Sequence, residues 1–188
     1  MPLKGSDDSH GLIIPPTRWY RSLAAAGLYN PDVRGEAGYW LTVGGSFTRA
    51  LQQQCRDRFH VDICQEGFGV PATEEAQRLG LRPRQLAWIR EVRLCGDGEP
   101  WVLARTIIPQ ACLDGQGRRL RHLGNKPLGA YLFSRPEWVR GPLETGLCQP
   151  AVPDQPILAR RSLFHRGADA LMVGEYLLPA LYQSQPRL

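Results

Sequence analysis

This chain has little with which to build a disulfide framework, chelate a metal or cross a membrane. Its five cysteines (Cys55, Cys64, Cys95, Cys112, Cys148) are odd in number, widely spaced and never arranged as C-x-x-C. That excludes the usual disulfide scaffolds and zinc ribbons. The four histidines (His10, His60, His122, His165) show no second ligand at helix or hairpin spacing, so linear spacing predicts no protein-bound metal. No apolar run approaches the ~20 residues of a membrane helix. Residues 1–10 lack the apolar core of a secretory signal, and the expectation is a cytoplasmic protein. No internal repeat is visible.

What is present describes a globular domain with a real core. Of the 188 residues, 43% are hydrophobic and 22% charged, in keeping with one folded domain. The net charge is +5, but the basic residues lie in ones and twos among acids and apolars. A nucleic-acid face is therefore not expected; the balance suits a surface that attracts small anions.

Residues 1–30 read as an N-terminal tail and a first helix, partly disordered, with the helix running from Pro15-Pro16-Thr17 through Trp19 to Leu28. Residues 31–188 form the domain proper. Ser46 is the N-cap of a helix over 47–55. A short helix follows over 73–79, opened by Thr73, Glu74 and Glu75. Asp97-Gly98 is a two-residue type I′ turn signal, joining strands at 86–95 and 99–108. Lys126-Pro127-Leu128-Gly129 opens another short helix ending near Phe133. With strands at 59–68, 139–148, 157–166 and 170–178, the expectation is an α+β domain: a six-stranded antiparallel sheet with helices on one side.

Charges within this pattern carry the chemistry. Strand alternation places Arg90 on one face with Leu86, Trp88, Val92 and Leu94, and Glu175 with Leu171, Val173 and Leu177. A lone charge in an apolar layer costs several kcal/mol, so such groups survive paired with each other or with a ligand. Counting back from the Asp97-Gly98 turn sets Arg105 opposite Arg90, two cations that an anion between them would reconcile, whereas a one-residue bulge would flip Arg105 to the other face. Of the adjacent Arg160 and Arg161, one must also face inward. The helix starts at Phe47 and Leu128 leave backbone N–H groups free to meet a carboxylate. Without a further clue, Arg90 with Glu175 could equally be a structural ion pair, and Arg105 an arginine snorkelling to the surface. Trp88 and Trp101 read as core, and Glu91, Arg93, Asp97 and Glu99 as solvent-face and turn residues.

The ordered set Ile89 to Trp101, Arg105-Thr106 with Pro109, Lys126-Pro127-Leu128-Gly129 with Tyr131-Leu132-Phe133, Arg160-Arg161-Ser162, and Glu175 followed by Leu178-Pro179 resembles the chorismate pyruvate-lyase family from about Ser46 to Tyr182. The resemblance implies a six-stranded antiparallel sheet with a ligand buried beneath helical flaps, and no cofactor. It implies conversion of chorismate to 4-hydroxybenzoate and pyruvate, the first committed step toward ubiquinone. A monomer is expected, although the sequence leaves the oligomeric state open. Carried over residue by residue, the ligand contacts fall on the Arg90 and Glu175 side chains and on the backbone at Phe47 and Leu128. Three positions depart from the family pattern: Phe47 stands where the family has Met, Ala104 where it has Gly, and Gln65 where it has Arg.

Loss of the enolpyruvyl group with the C4 hydrogen makes the chorismate ring aromatic, so the protein's task is orientation and charge placement. Arg90 would stabilise charge developing on the ether oxygen, Glu175 would bond the C4 hydroxyl, and Arg105 would hold the enolpyruvyl carboxylate. The transfer can be concerted, or Glu175 can act as acid or base. A second class of function is a non-catalytic sensor, since ligand-binding regions of some transcription regulators use the same fold.

Overall fold

The computed structural model describes residue 12 and residues 14–183. Eight strands form one antiparallel sheet: β1 (Thr17–Tyr20), β2 (Phe59–Gly69), β3 (Ala87–Gly96), β4 (Glu99–Pro109), β5 (Val139–Arg140), β6 (Glu144–Cys148), β7 (Leu158–Arg166) and β8 (Asp169–Leu177). Their order is β1-β6-β7-β8-β4-β3-β2, with β5 also alongside β7. The helices are α1 (Leu23–Gly27), α2 (Gly35–Thr42), α3 (Phe47–Gln54), α4 (Thr73–Arg78), α5 (Leu128–Phe133) and α6 (Pro179–Tyr182).

The sheet has eight strands where six were expected, for two reasons. The run 139–148 breaks at Gly141-Pro142, where proline cannot donate to the ladder, and both halves pair with β7. The segment expected to begin a helix at Thr17 is instead a strand paired with β6. There Trp19 lies against Gly146, where an added Cβ would stand 2.8 Å from the ring. The helix that follows is only α1, capped by the Ser22 hydroxyl, which accepts from the Ala25 N–H. Residues 1–11 of the expected tail lie outside the described residues.

The turn signal was sound: Asp97 and Gly98 both have positive φ, 52° and 88°. The strands beyond it carry a bulge, however. Gly96 pairs with Glu99 and Cys95 with Pro100, but Leu94 pairs with Val102, leaving Trp101 as the extra residue. A bulge shifts every later position by one and so exchanges the two faces. Arg90 therefore lies opposite Thr106, and Arg105 opposite Glu91.

One face of the sheet packs Val61, Val92, Leu94, Val102, Ala104, Leu158 and Leu177 against Trp40, Leu41, Phe47 and Leu51 of α2 and α3. Further along the same face, α5 contributes Leu128 and Leu132 to a cluster with Ile108, Phe164 and Leu171. The other face is also covered, contrary to the one-sided expectation. Ala87, Ile89, Ile107, Leu163 and Met172 meet Leu79 and Leu81, which follow α4.

The bulge also draws the Trp101 ring across Gly96, where an added Cβ would fall 2.3 Å from ring carbons. Gly96→Ala should therefore destabilise the protein by about 1–3 kcal/mol, the usual range for overpacking. Urea unfolding checks this through a lowered midpoint at unchanged slope.

Candidate active site

Two helix starts meet over the centre of the sheet. Ser46 caps α3, its hydroxyl accepting from the Arg49 N–H at 3.3 Å. Pro127, extended at φ −64° and ψ 130°, precedes α5 and supplies no side-chain cap. The two starts are close: a Cβ at Gly129 would lie 3.0 Å from the Thr48 hydroxyl oxygen. The first turns of both helices thus meet over one small region of the sheet, and a negative group is favoured near such helix starts.

Beneath them lie two buried arginines on the apolar face. Arg160, 2% exposed, donates from Nε to Glu175 Oε2 at 2.7 Å. Its Nη1 donates to the Trp40 and Val43 carbonyls at 3.1 and 3.0 Å. These carbonyls end α2, where a cation is favoured. The guanidinium also lies 4.4 Å from the centre of the Phe47 ring, which itself packs edge-on against Trp40. Arg90 is equally buried; its Nη1 pairs with Glu66 and its Nη2 donates to the Gly124 and Lys126 carbonyls at 2.9 and 3.2 Å. Burial pushes the Glu175 carboxyl above the usual carboxylate range, with the Arg160 charge pulling against it. Burial and the neighbouring Arg160 charge lower the pKa of Arg140, which donates to the Gly45 carbonyl at 3.1 Å.

Two small cavities of about 30 Å³ each lie between these groups and the helices. One is lined by Arg90, Thr106, Leu128 and Glu175. The other is lined by Phe47, Arg140, Arg160 and Glu175. Gly129, Val173 and Glu175 form walls of both, so Glu175 stands at the junction.

The structure thus brings Arg90, Glu175, Phe47 and Leu128 together, with two corrections. Arg90 and Glu175 do not pair with each other: Arg90 takes Glu66 and Glu175 takes Arg160. The second concerns Arg105, which the Trp101 bulge puts on the opposite face. There it donates to Glu75 at 2.8 and 3.0 Å and pairs with Glu91. Burial works against its charge, but the hydrogen bonds and charges of Glu75 and then Glu91 outweigh it and hold Arg105 above its ordinary range. Glu91, expected in solvent, is buried for the same reason. The inward residue of the Arg160-Arg161 pair is Arg160; Arg161 is buried on the other face with Glu74 and Glu144.

Two residues of the site were missed. Glu66 reaches the Arg90 face because β2 is itself irregular between Ile63 and Gln65. Arg140 comes from the two-residue strand β5. The sequence marks of both are faint: Glu66 precedes Gly67, and Arg140 precedes the Gly141-Pro142 break.

Fold and site together define an antiparallel α+β domain of the small-molecule-binding kind, with an anion-favouring pocket closed by two helix starts. Among solved structures, the C-terminal domain of the histidine utilization repressor from Pseudomonas syringae pv. tomato shares this fold. The TM-score is 0.50 at 14% identity, covering 70% of this chain and 96% of that one. Among sequences, residues 32–186 match the family described as chorismate lyase. The chain is 73% identical over 187 residues to a Marinobacter nauticus protein named "Probable chorismate pyruvate-lyase", covering 100% of both. It is also 37% identical over 142 residues to the chorismate pyruvate-lyase of Pectobacterium atrosepticum, covering 76% of each. The chain belongs to the chorismate lyase family.

Because Arg105 holds Glu75 and Glu91 on the buried back face, Arg105→Gln should act on stability. Removing one partner of a buried charge cluster typically costs about 3–5 kcal/mol. Chemical denaturation of the variant checks this; stability within 1 kcal/mol of wild type, roughly the worth of a surface ion pair, would contradict the back-face assignment.

Proposed function

We propose that this protein is a chorismate pyruvate-lyase whose substrate lies across the two cavities that meet at Glu175. The single observation that carries the reading of the site is the set of buried charges on one apolar sheet face: Arg90 with Glu66, Arg160 with Glu175, and Arg140 beside Arg160. Two separate anion-favouring regions on a small apolar floor suit a molecule with two carboxylates and an aromatic product. Residues 31–188 carry this domain, with β1 and α1 extending its edge; we take it to act as a monomer in the cytoplasm. No helix among the described residues is long and apolar enough to cross a membrane.

In this reading the ring carboxylate lies at the amides of Phe47 and Leu128. Arg90 faces the ether oxygen, and Glu175 bonds the C4 hydroxyl. The enolpyruvyl carboxylate goes to Arg140 and Arg160, the role first given to Arg105. Arg160 is anchored by two carbonyls and a carboxylate, so its guanidinium needs no reorganisation when charge arrives, which is the condition for electrostatic catalysis. The bound conformer folds the side chain so that the C4 hydrogen passes to the enolpyruvyl methylene. That carbon becomes a methyl group as the C3–O bond breaks. The C3–O pair forms the pyruvate carbonyl and the C4–H pair becomes the third ring double bond. The atoms balance without a cofactor. Among the described residues, those lining the two cavities include one carboxylate, Glu175, and no histidine or cysteine. Ligand pockets usually span about 300–1,000 Å³, so α3 and α5 must part to admit substrate and reclose over it.

Protein stripped with a chelator should form pyruvate and 4-hydroxybenzoate in equal amounts from chorismate. Arg90→Ala and Glu175→Ala should each lower kcat/KM by at least about 10²-fold, the scale for losing a preorganised charged contact. Absence of turnover in the wild type, a different aromatic product such as salicylate, or undiminished variants would overturn the reading. Arg140 supplies a finer test. Chorismate has two carboxylates and 4-hydroxybenzoate one, so Arg140→Gln should weaken chorismate turnover clearly. It should change 4-hydroxybenzoate affinity by less than about tenfold, or roughly 1.4 kcal/mol. Equal losses for substrate and product would remove Arg140 from the carboxylate site.

A further inference from the structure

Three side chains with metal-ligand chemistry converge on the β2–β3 pair, away from the catalytic face. His60 and Asp62 lie two apart on β2, so both point to one side, and His60 is paired in register with Cys95 of β3. The ligand atoms of these three residues all lie within 4.8 Å of one another, and among the described residues no other such group of His, Cys, Asp or Glu is found. The cluster is five residues along β3 from Arg90, about 17 Å at strand rise. It is also on the opposite face.

Its dimensions match a tetrahedral edge. Zinc bonds of ~2.0–2.1 Å to nitrogen and oxygen and ~2.3 Å to sulfur require N···O near about 3.3 Å and S···O near about 3.5 Å. Here His60 Nε2 stands 3.5 Å from Asp62 Oδ2, and Cys95 Sγ stands 3.6 Å from the same carboxylate oxygen. Asp62 is exposed and Cys95 buried, so the group opens to solvent on one side. We propose that His60, Asp62 and Cys95 form a three-ligand binding site for Zn²⁺ or a similar thiophilic divalent cation, with water in the fourth position. Linear spacing concealed it because two ligands come from one strand and the third from its neighbour 33 residues on.

Binding displaces the Cys95 proton to solvent and converts the thiol to a thiolate ligand. Burial, and then the Asp62 charge and hydrogen bond, push this thiol up to about 12; Cys64 raises it further and Arg93 pulls it down. The metal-free thiol is therefore protonated at neutral pH. The site ties β2, at the edge of the sheet, to β3.

Cobalt titration of the reduced, untagged, full-length protein provides the test. Wild type should take up one Co²⁺ with a near-ultraviolet thiolate charge-transfer band, which Zn²⁺ then abolishes. Cys95→Ser should lose the band, whereas Cys55→Ser should keep it. Asp62→Asn, on an exposed side chain, should weaken Co²⁺ binding by at least about tenfold, the lower scale for disturbing even an outer-shell partner. The proposal fails if no saturable band appears, if the band survives Cys95→Ser, or if Asp62→Asn binds as wild type does. Should Cys95→Ser fail to fold, the Asp62→Asn affinity decides the matter.

Discussion

A guanidinium buried in a sheet must be neutralised where it stands, and four arginines on three strands make this the constraint on which the structure depends. Arg90 and Arg160 lie on one face, Arg105 and Arg161 on the other, and all four are held by carboxylates. The partners come from β2, β3, β6, β8 and α4. Leaving any one of these charges unpaired would cost several kcal/mol, comparable to a domain's whole stability. The arginines therefore fix not only strand register but also the docking of α4 and the tie between β7 and β6. Both layers around the sheet are positioned by charge as much as by apolar contact.

The two faces use that constraint differently. On the back face Arg105 and Arg161 each have two carboxylates, Arg105 with Glu75 and Glu91, Arg161 with Glu74 and Glu144. These clusters are saturated. On the front face each arginine has one carboxylate and completes its bonding with main-chain carbonyls. Carbonyls satisfy the donors without cancelling the charge. With Arg140 added from β5, the front face holds a surplus of positive charge in a region of low polarity, where a dianion gains most.

Much of this was legible in the sequence, and what was not has a physical cause. Arg90 and Glu175 stand out because strand alternation is strict and each interrupts an apolar series. The helix starts at Phe47 and Leu128 are readable from Ser46 and from Pro127. Register is not so readable, because a bulge is a one-residue event whose mark is a single Pro100 beside the turn. Counting through it as if the ladder were regular placed Arg105 opposite Arg90, on the wrong face; Glu91 was given the right face, but that face is covered by α4 and the residues after it and not by water. The same kind of slip in β2 concealed Glu66. The strand β1 was read as helix because four residues carry no decisive period, and its pairing with β6 is a tertiary choice made by Trp19 fitting over Gly146.

The fold by itself does not distinguish a lyase from a sensor, since one scaffold can serve either role and function resides in the site. The charge arrangement does separate the two tasks. Reversible sensing requires a pocket complementary to the resting ligand, whereas catalysis requires complementarity to charge that appears only as a bond breaks. Arg160 bears on this: it is clamped by Glu175, Trp40 and Val43 and covered by the Phe47 ring. Arg90 is likewise fixed by Glu66, Gly124 and Lys126. Groups anchored so firmly cannot follow a ligand, and their value is greatest for a transition state whose charge comes to them. On the proposed reading of the site, the same rigidity would assign the movement that admits substrate to the helix starts above the sheet and not to the charged floor. Under the proposed mechanism Glu175, a wall of both cavities, would be the point where closure and chemistry meet.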